Sequence, residues 1–128
     1  MDRAHYAADY GQAAALKFLH EAGANLNVTE NSGATPALLA AAQGKAEALE
    51  ALAKAGADLQ KPESEMGWTP AHAAAYHGHV DELRVLIQAG VDLNAKSIEG
   101  DTPADLADRE SEEALQLILE AGGKRSKE

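Results

Sequence analysis

The chain of 128 residues has no cysteine. Disulfides, cysteine-based zinc sites, iron–sulfur clusters and thiol nucleophiles are therefore excluded. Aromatic residues are few: one Trp, one Phe and three Tyr. Strand-favouring aliphatics are few as well, with four Val and three Ile against 29 Ala and 15 Leu. Ala and Leu are strong helix formers, whereas β-branched residues favour strands. The composition excludes an all-β fold and argues against a doubly wound sheet. Positive charge is also scarce: 11 Lys and Arg stand against 21 Asp and Glu, a formal net charge of −10. Affinity for a phosphate backbone rests on Lys and Arg, and so does attraction to an anionic bilayer. Neither nucleic acid nor membrane is expected as a partner. No apolar run approaches the roughly 20 residues of a membrane span. Met1–His5 has no secretory apolar region, so the expected location is the cytoplasm, with the nucleus as the alternative.

Catalytic motifs are missing too. There is no Gly-x-Ser-x-Gly elbow, no phosphate-cradling glycine loop and no His-Glu-x-x-His pair. The carboxylates fall where a solvated helix face would put them. The expectation is a protein that is not an enzyme and needs no cofactor or resident metal. His77-Gly78-His79 with Asp81 offers imidazole and carboxylate ligands. Two imidazoles on one loop fall short of the closed four-ligand shell of a structural zinc site.

What the chain does contain is a repeat. Thr-Pro recurs at Thr35-Pro36, Thr69-Pro70 and Thr102-Pro103, at intervals of 34 and 33 residues. Proline in the first helical turn loses no hydrogen bond, and the preceding threonine can cap the helix. An Ala-rich segment follows each Thr-Pro. Gly11, Gly44 and Gly78 then fall between two helical patterns, where a positive φ reverses the chain. A second segment carries the apolar stripe: Leu16, Phe18 and Leu19, then Leu49 and Leu52, then Leu83, Val85 and Leu86. It ends at Ala22-Gly23, Ala55-Gly56, Ala89-Gly90 and Ala121-Gly122. One such unit cannot bury its own stripe, so the units must stack.

These markers resemble the ankyrin repeat family. The third unit carries the likeness best, in Gly67-Trp68-Thr69-Pro70-Ala71-His72-Ala73-Ala74-Ala75, then Gly78-His79, then Ala89-Gly90-Val91-Asp92-Leu93-Asn94. The resemblance implies an all-α solenoid of stacked helix-turn-helix units joined by β-hairpin-like loops. It covers residues 1–123 as a single domain, with repeats at about 1–34, 35–68, 69–101 and 102–123 and a charged tail at 124–128, expected to be disordered. The run from His5 to Gln12, with Thr35–Leu39, is more weakly similar to the small stand-alone ankyrin regulators of the myotrophin type. Kinase-inhibitor-like regulators are a second alternative, although their shortened second inner helix is not matched by Pro36–Gln43. A fragment of a longer array, or an engineered scaffold with no partner of its own, is a third.

The units depart from one another. The first lacks a hairpin before it, so its upstream face is expected to fray or to seek cover. The second has Leu38 where the third has His72. Gln60–Met66 is one residue long for the period. The fourth has Asp105 at the histidine position and Ser111 in place of the reversal glycine, and reads as a polar cap. By the resemblance, His72 and His79 hydrogen-bond nearby backbone. His20 is expected to be a partly exposed polar substitution on an outer helix, and Asn27-Val28-Thr29 a chance glycosylation pattern.

The resemblance also implies a function: non-catalytic protein binding through a concave groove of hairpin tips and inner-helix ends. On this sequence the candidate contact residues are Tyr10, Met66, Trp68, Tyr76, His77, Ile98 and Arg109. They include the only Trp and two of the three Tyr, and Trp, Tyr and Arg are enriched at interface hot spots. The partner is expected to be a protein, with a basic one favoured by charge, and the chain itself to be a monomer. The excess of acids is spread evenly over the four units, so charge singles out none of them.

Overall fold

The computed structural model describes residues 1–127. They form eight α-helices and no strand: α1 (Arg3–Asp9), α2 (Ala13–Glu21), α3 (Pro36–Ala42), α4 (Ala46–Lys54), α5 (Pro70–Tyr76), α6 (Val80–Gln88), α7 (Pro103–Glu110) and α8 (Glu112–Glu120). Each unit is one inner helix, odd in number, followed by one outer helix. Inner helices pack on inner helices and outer on outer, in chain order. The result is an all-α solenoid two layers thick. Helix α3 is seven residues long, as are α1 and α5.

Thr35, Thr69 and Thr102 start the inner helices for a local reason. Each is extended, and its side chain accepts from the backbone N–H three residues on, with proline behind it. In α1 Asp2 takes this place and accepts from Ala4. The inner helices stack on alanine: Ala8, Ala40, Ala41, Ala74, Ala75, Ala104 and Ala107 are wholly buried. Alanine ends at Cβ, so backbones can approach without a side chain to clear. The outer layer supplies the volume, with Leu49, Leu52, Leu83, Leu86 and Ile118 fully buried.

Gly44 shows why the reversal needs glycine. Its φ is +72°, and a Cβ there would lie 3.1 Å from His79 of the next unit. A side chain would meet strain and collision together. Gly78 is matched in the same way, with Ser111 over it at 3.2 Å. This corrects the reading of Ser111. It occupies the place of His79, the residue after the glycine, and the glycine itself is what the fourth unit omits. Helix α7 runs one residue longer, and Ser111, extended at φ −155°, caps α8 through its side chain.

Two further expectations are corrected. Phe18 is not in the buried stripe and is 68% exposed. It is absent from the α2 residues lining the groove between α2 and α4, which are Ala13, Ala14, Lys17, His20 and Glu21. It therefore faces away from the second unit. Leu19 lines an open cleft at the same end with Met1, Tyr6 and Val28. Its counterparts Leu52, Leu86 and Ile118 are fully buried. At the other end, Lys124–Ser126 is not free chain. Lys124 N–H donates to Asn94 at 2.9 Å, Thr102 hydroxyl donates to the Lys124 carbonyl at 2.7 Å, and Ser126 N–H donates to Asp105 at 3.0 Å. The Asp105 carboxyl is partly buried, which opposes its charge. Donation from Thr102 and Ser126 outweighs that and holds it below the usual carboxylate range. Glu128 lies outside the described residues.

The hairpin loops join laterally. Ser64 N–H donates to the Ser32 carbonyl at 2.7 Å, and Ile98 N–H to the Met66 carbonyl at 2.8 Å. The first and third loops close from Glu30 to Ala34 and from Ser97 to Asp101, but the second closes from Glu63 to Trp68. The extra residue of the period thus sits in the second tip.

Candidate functional site

Counted from their starts, the inner helices place Asp9, Ala42, Tyr76 and Arg109 at one position, and Tyr10, Gln43, His77 and Glu110 at the next, although α7 continues to Glu110. The tip pairs Asn31-Ser32, Glu65-Met66 and Ile98-Glu99 precede the hairpin glycines.

Four rings meet at the third unit. Trp68 and Tyr76 are tilted with centroids 5.0 Å apart, Tyr76 and His77 meet edge to face at 5.1 Å, and His77 stacks on His79 at 5.5 Å. Tyr76 is 42% exposed and His77 is exposed. Trp68 is half-buried against the cluster of Ala34, Leu38 and Ala73, which bridges the second and third units. It therefore serves the packing of the array as well as the surface. Partial burial lowers the pKa of His77, the neighbouring His79 lowers it further, and Glu110 acts the other way.

The other candidates fall around this ladder in different ways. Met66 and Ile98 adjoin through the bond between their loops, and Ile98 is 69% exposed. Arg109 is held by Asp101 at 3.0 Å, so its guanidinium already has a carboxylate. Tyr10 caps α1 and is exposed. Among the described residues, no ring pairs with it.

The histidines have structural tasks. His72 accepts from Thr69 N–H at 3.1 Å and reaches the Asp101 carbonyl of the next unit at 2.8 Å. One partner is nearby backbone, as expected, and the other lies 29 residues away. His79 reaches back to the Ala41 carbonyl at 3.0 Å. His5, not singled out by sequence reasoning, bonds the Ala34 carbonyl at 3.0 Å and completes the cap of α1 with Asp2. Each junction between units therefore carries one imidazole. The signal for His5 was available: Asp2-x-x-His5 has the spacing of Thr69-x-x-His72. Among the described residues, no three His, Asp or Glu side chains gather as a metal site.

Glu63 was also missed. Its carboxylate accepts from Glu65, Met66 and Trp68 N–H at 2.8–2.9 Å, which fastens the longer second tip beneath Met66 and Trp68. Partial burial opposes its charge, but the N–H groups of Trp68, Met66, Glu65 and Gly67 together hold its pKa below the ordinary value. A depressed carboxyl stabilises the fold above its unfolded pKa and loses that contribution as pH falls through the folded one. Glu63→Gln is expected to lower stability by about 1 kcal/mol near neutral pH. The gap to wild type should narrow as pH falls from neutral through the lowered folded value. Urea denaturation of both proteins across that range checks this, and a gap that ignores pH would contradict it.

Capped inner helices, left-handed reversals, uncapped α2, α4 and α6, and laterally bonded hairpins together define a repeat solenoid. The family model described as ankyrin repeats in three copies matches residues 4–97 and again 57–127. The chain belongs to the ankyrin repeat family. A search of curated proteins finds no match. Ankyrin repeats are in general protein-interaction modules and are typically non-catalytic. Among the described residues, no helix is long and apolar enough to cross a membrane.

Proposed function

We propose that this chain is a non-catalytic protein-binding module. It presents a concave groove of hairpin tips and inner-helix ends, centred on the second and third units, to a protein partner. The observation that carries this is the ring ladder from Trp68 through Tyr76 and His77 to His79. A chain with five Phe, Tyr and Trp residues places two of them side by side on this face. Rigid aromatics held by a stacked scaffold lose little entropy on binding, and Trp and Tyr are leading hot-spot types. Met66 and Ile98 extend the apolar contact along the tips, and Tyr10 adds to it on the first unit. The chain acts as a cytoplasmic monomer without cofactor, nucleic acid or membrane.

The test is affinity capture from a source lysate with three folded baits. These are wild type, Tyr76→Ala/His77→Ala, and a control altered on an outer helix, Glu47→Ala/Glu50→Ala. Trp68 is left in place because it packs between units. The expected result is a protein held by wild type and control but lost by the ring variant. A truncated hot-spot residue costs about 2 kcal/mol or more, roughly a thirty-fold loss of affinity. Equal capture by all three baits would remove the groove as the site.

A further inference from the structure

The charge on this face is one-sided. The inner-helix ends, the hairpin tips and the residues before each Thr-Pro carry Asp9, Glu65, Glu99, Asp101 and Glu110. Arg109 is the one cation in that set, and Asp101 already holds it at 3.0 Å. Other cations sit elsewhere: Lys54 and Arg84 pair with Glu50 and Asp81 on outer helices, and Lys45 packs over Gly11. The excess of acids is even along the sequence, and at these positions five carboxylates stand against one cation, with Lys61 and Lys96 exposed in the adjoining hairpin arms.

Smaller side chains adjoin the ring ladder. The second unit has Ala34 and Ala42 where the third has Trp68 and Tyr76. Ala42, Leu39 and Trp68 pack on the small cluster of Ala34, Leu38 and Ala73. Two rings thus stand beside the smaller side chains of the second unit, and Tyr76 is exposed. An aromatic face in such a place attracts a cation through its quadrupole. Nearby carboxylates add long-range steering. His77, with its pKa depressed by burial and by His79, adds no positive charge there near neutral pH.

We infer that the segment this groove takes is a basic one, a stretch of partner protein bearing arginine or lysine, with one cationic side chain against Tyr76 and Trp68 over Ala42. Its neighbours lie within reach of Asp9, Glu65 and Glu110. This rests on the groove reading above and adds the chemistry of its partner.

The experiment uses the full chain and a phage-displayed library of random peptides, selected at about physiological ionic strength. Recovered peptides are then titrated by fluorescence anisotropy against four folded proteins. These are wild type, Tyr76→Leu, the groove triple Asp9→Asn/Glu65→Gln/Glu110→Gln, and the outer-helix triple Glu21→Gln/Glu47→Gln/Glu112→Gln, which removes the same charge elsewhere. The expected peptides are rich in arginine and lysine. Their affinity should fall about ten-fold or more for Tyr76→Leu and for the groove triple, and stay within about two-fold for the outer triple. Peptides lost by Tyr76→Leu but without basic bias, and indifferent to the groove triple, overturn the basic partner while the groove stands. Peptides indifferent to both groove variants overturn the groove as well. Equal losses in the two triples would reduce the effect to general acidity and overturn the inference, as would a selection that enriches nothing.

Discussion

Leu83→Ala is expected to lower the unfolding free energy by about 3 kcal/mol, within the usual range for a leucine truncated in a packed core. Leu83 has no exposed surface. It sits on α6, which packs against α4 on one side and α8 on the other, and against its own inner helix α5. Few atoms around it can move inward, because both neighbouring outer helices are anchored by leucine or isoleucine of their own. A domain of this size has on the order of 5–15 kcal/mol in total, so the loss is a large fraction. The melting temperature should drop by roughly 10 °C. Phe18→Ala is the matched control. It removes a larger side chain from the outer helix of the first unit, yet stability should stay within about 0.5 kcal/mol, because Phe18 faces solvent. Urea denaturation followed by circular dichroism decides both. A Phe18→Ala loss as large as that of Leu83→Ala would mean that Phe18 is covered in solution.

His72→Ala is expected to cost about 2–3 kcal/mol. The imidazole is fully buried and bonds Thr69 N–H on one side and the Asp101 carbonyl on the other. Its removal leaves the Thr69 N–H unpaired in the interior, at about 1–3 kcal/mol before relaxation, while the Asp101 carbonyl keeps the Ser97 N–H. It also opens a cavity and half-dismantles the cap of α5. His72→Leu separates these effects. Leucine keeps most of the volume, and the second unit natively has buried Leu38 at this position, so about 1 kcal/mol is expected. The pH dependence gives a second readout. Burial pushes the His72 pKa down, against the raising effects of the Asp101 carbonyl and charge. An imidazole depressed in the folded state binds its proton more tightly once unfolded. Stability is therefore complete above the ordinary histidine range and declines as pH falls from there through the lowered folded value. In wild type this should appear as a slope that sets in as pH falls through the ordinary histidine range. His72→Leu should flatten that slope. An unchanged slope in His72→Leu would assign it to another group.

The ankyrin architecture was legible because its signals are local and recur in phase. A threonine followed by proline caps and starts a helix whatever lies beyond it, and Thr35, Thr69 and Thr102 do so alike. The candidate face was legible only in part. Trp68, Tyr76 and His77 stood out by residue type, and the structure brings them into one ladder. The same criterion chose Arg109, whose charge is met by Asp101. It passed over Glu63, whose task is to hold three N–H groups of a lengthened turn. A glutamate in a turn looks solvated until the turn is folded around it.

Phe18 and Ser111 mark where periodicity misled. A helical stripe shows which side of a helix is apolar, but not whether another unit lies against it, and Phe18 is exposed. Ser111 was aligned by counting from the Thr-Pro, whereas its place is set by the neighbour it touches, Gly78 of the preceding unit. The tail was expected to be free because it is short and charged, and hydrogen bonds to Asn94, Thr102 and Asp105 hold it along the last unit.

Helix starts, reversals and the order of the units were set by the chain alone, since capping and left-handed glycine act over three or four residues. The register between units was decided by the folded stack. His5, His72 and His79 each reach a carbonyl 29 to 38 residues away. The ring ladder depends on where a hairpin and a helix end come to rest together. Such pairings are invisible to periodicity, because they exist only after neighbouring units have buried their alanine and leucine faces against one another.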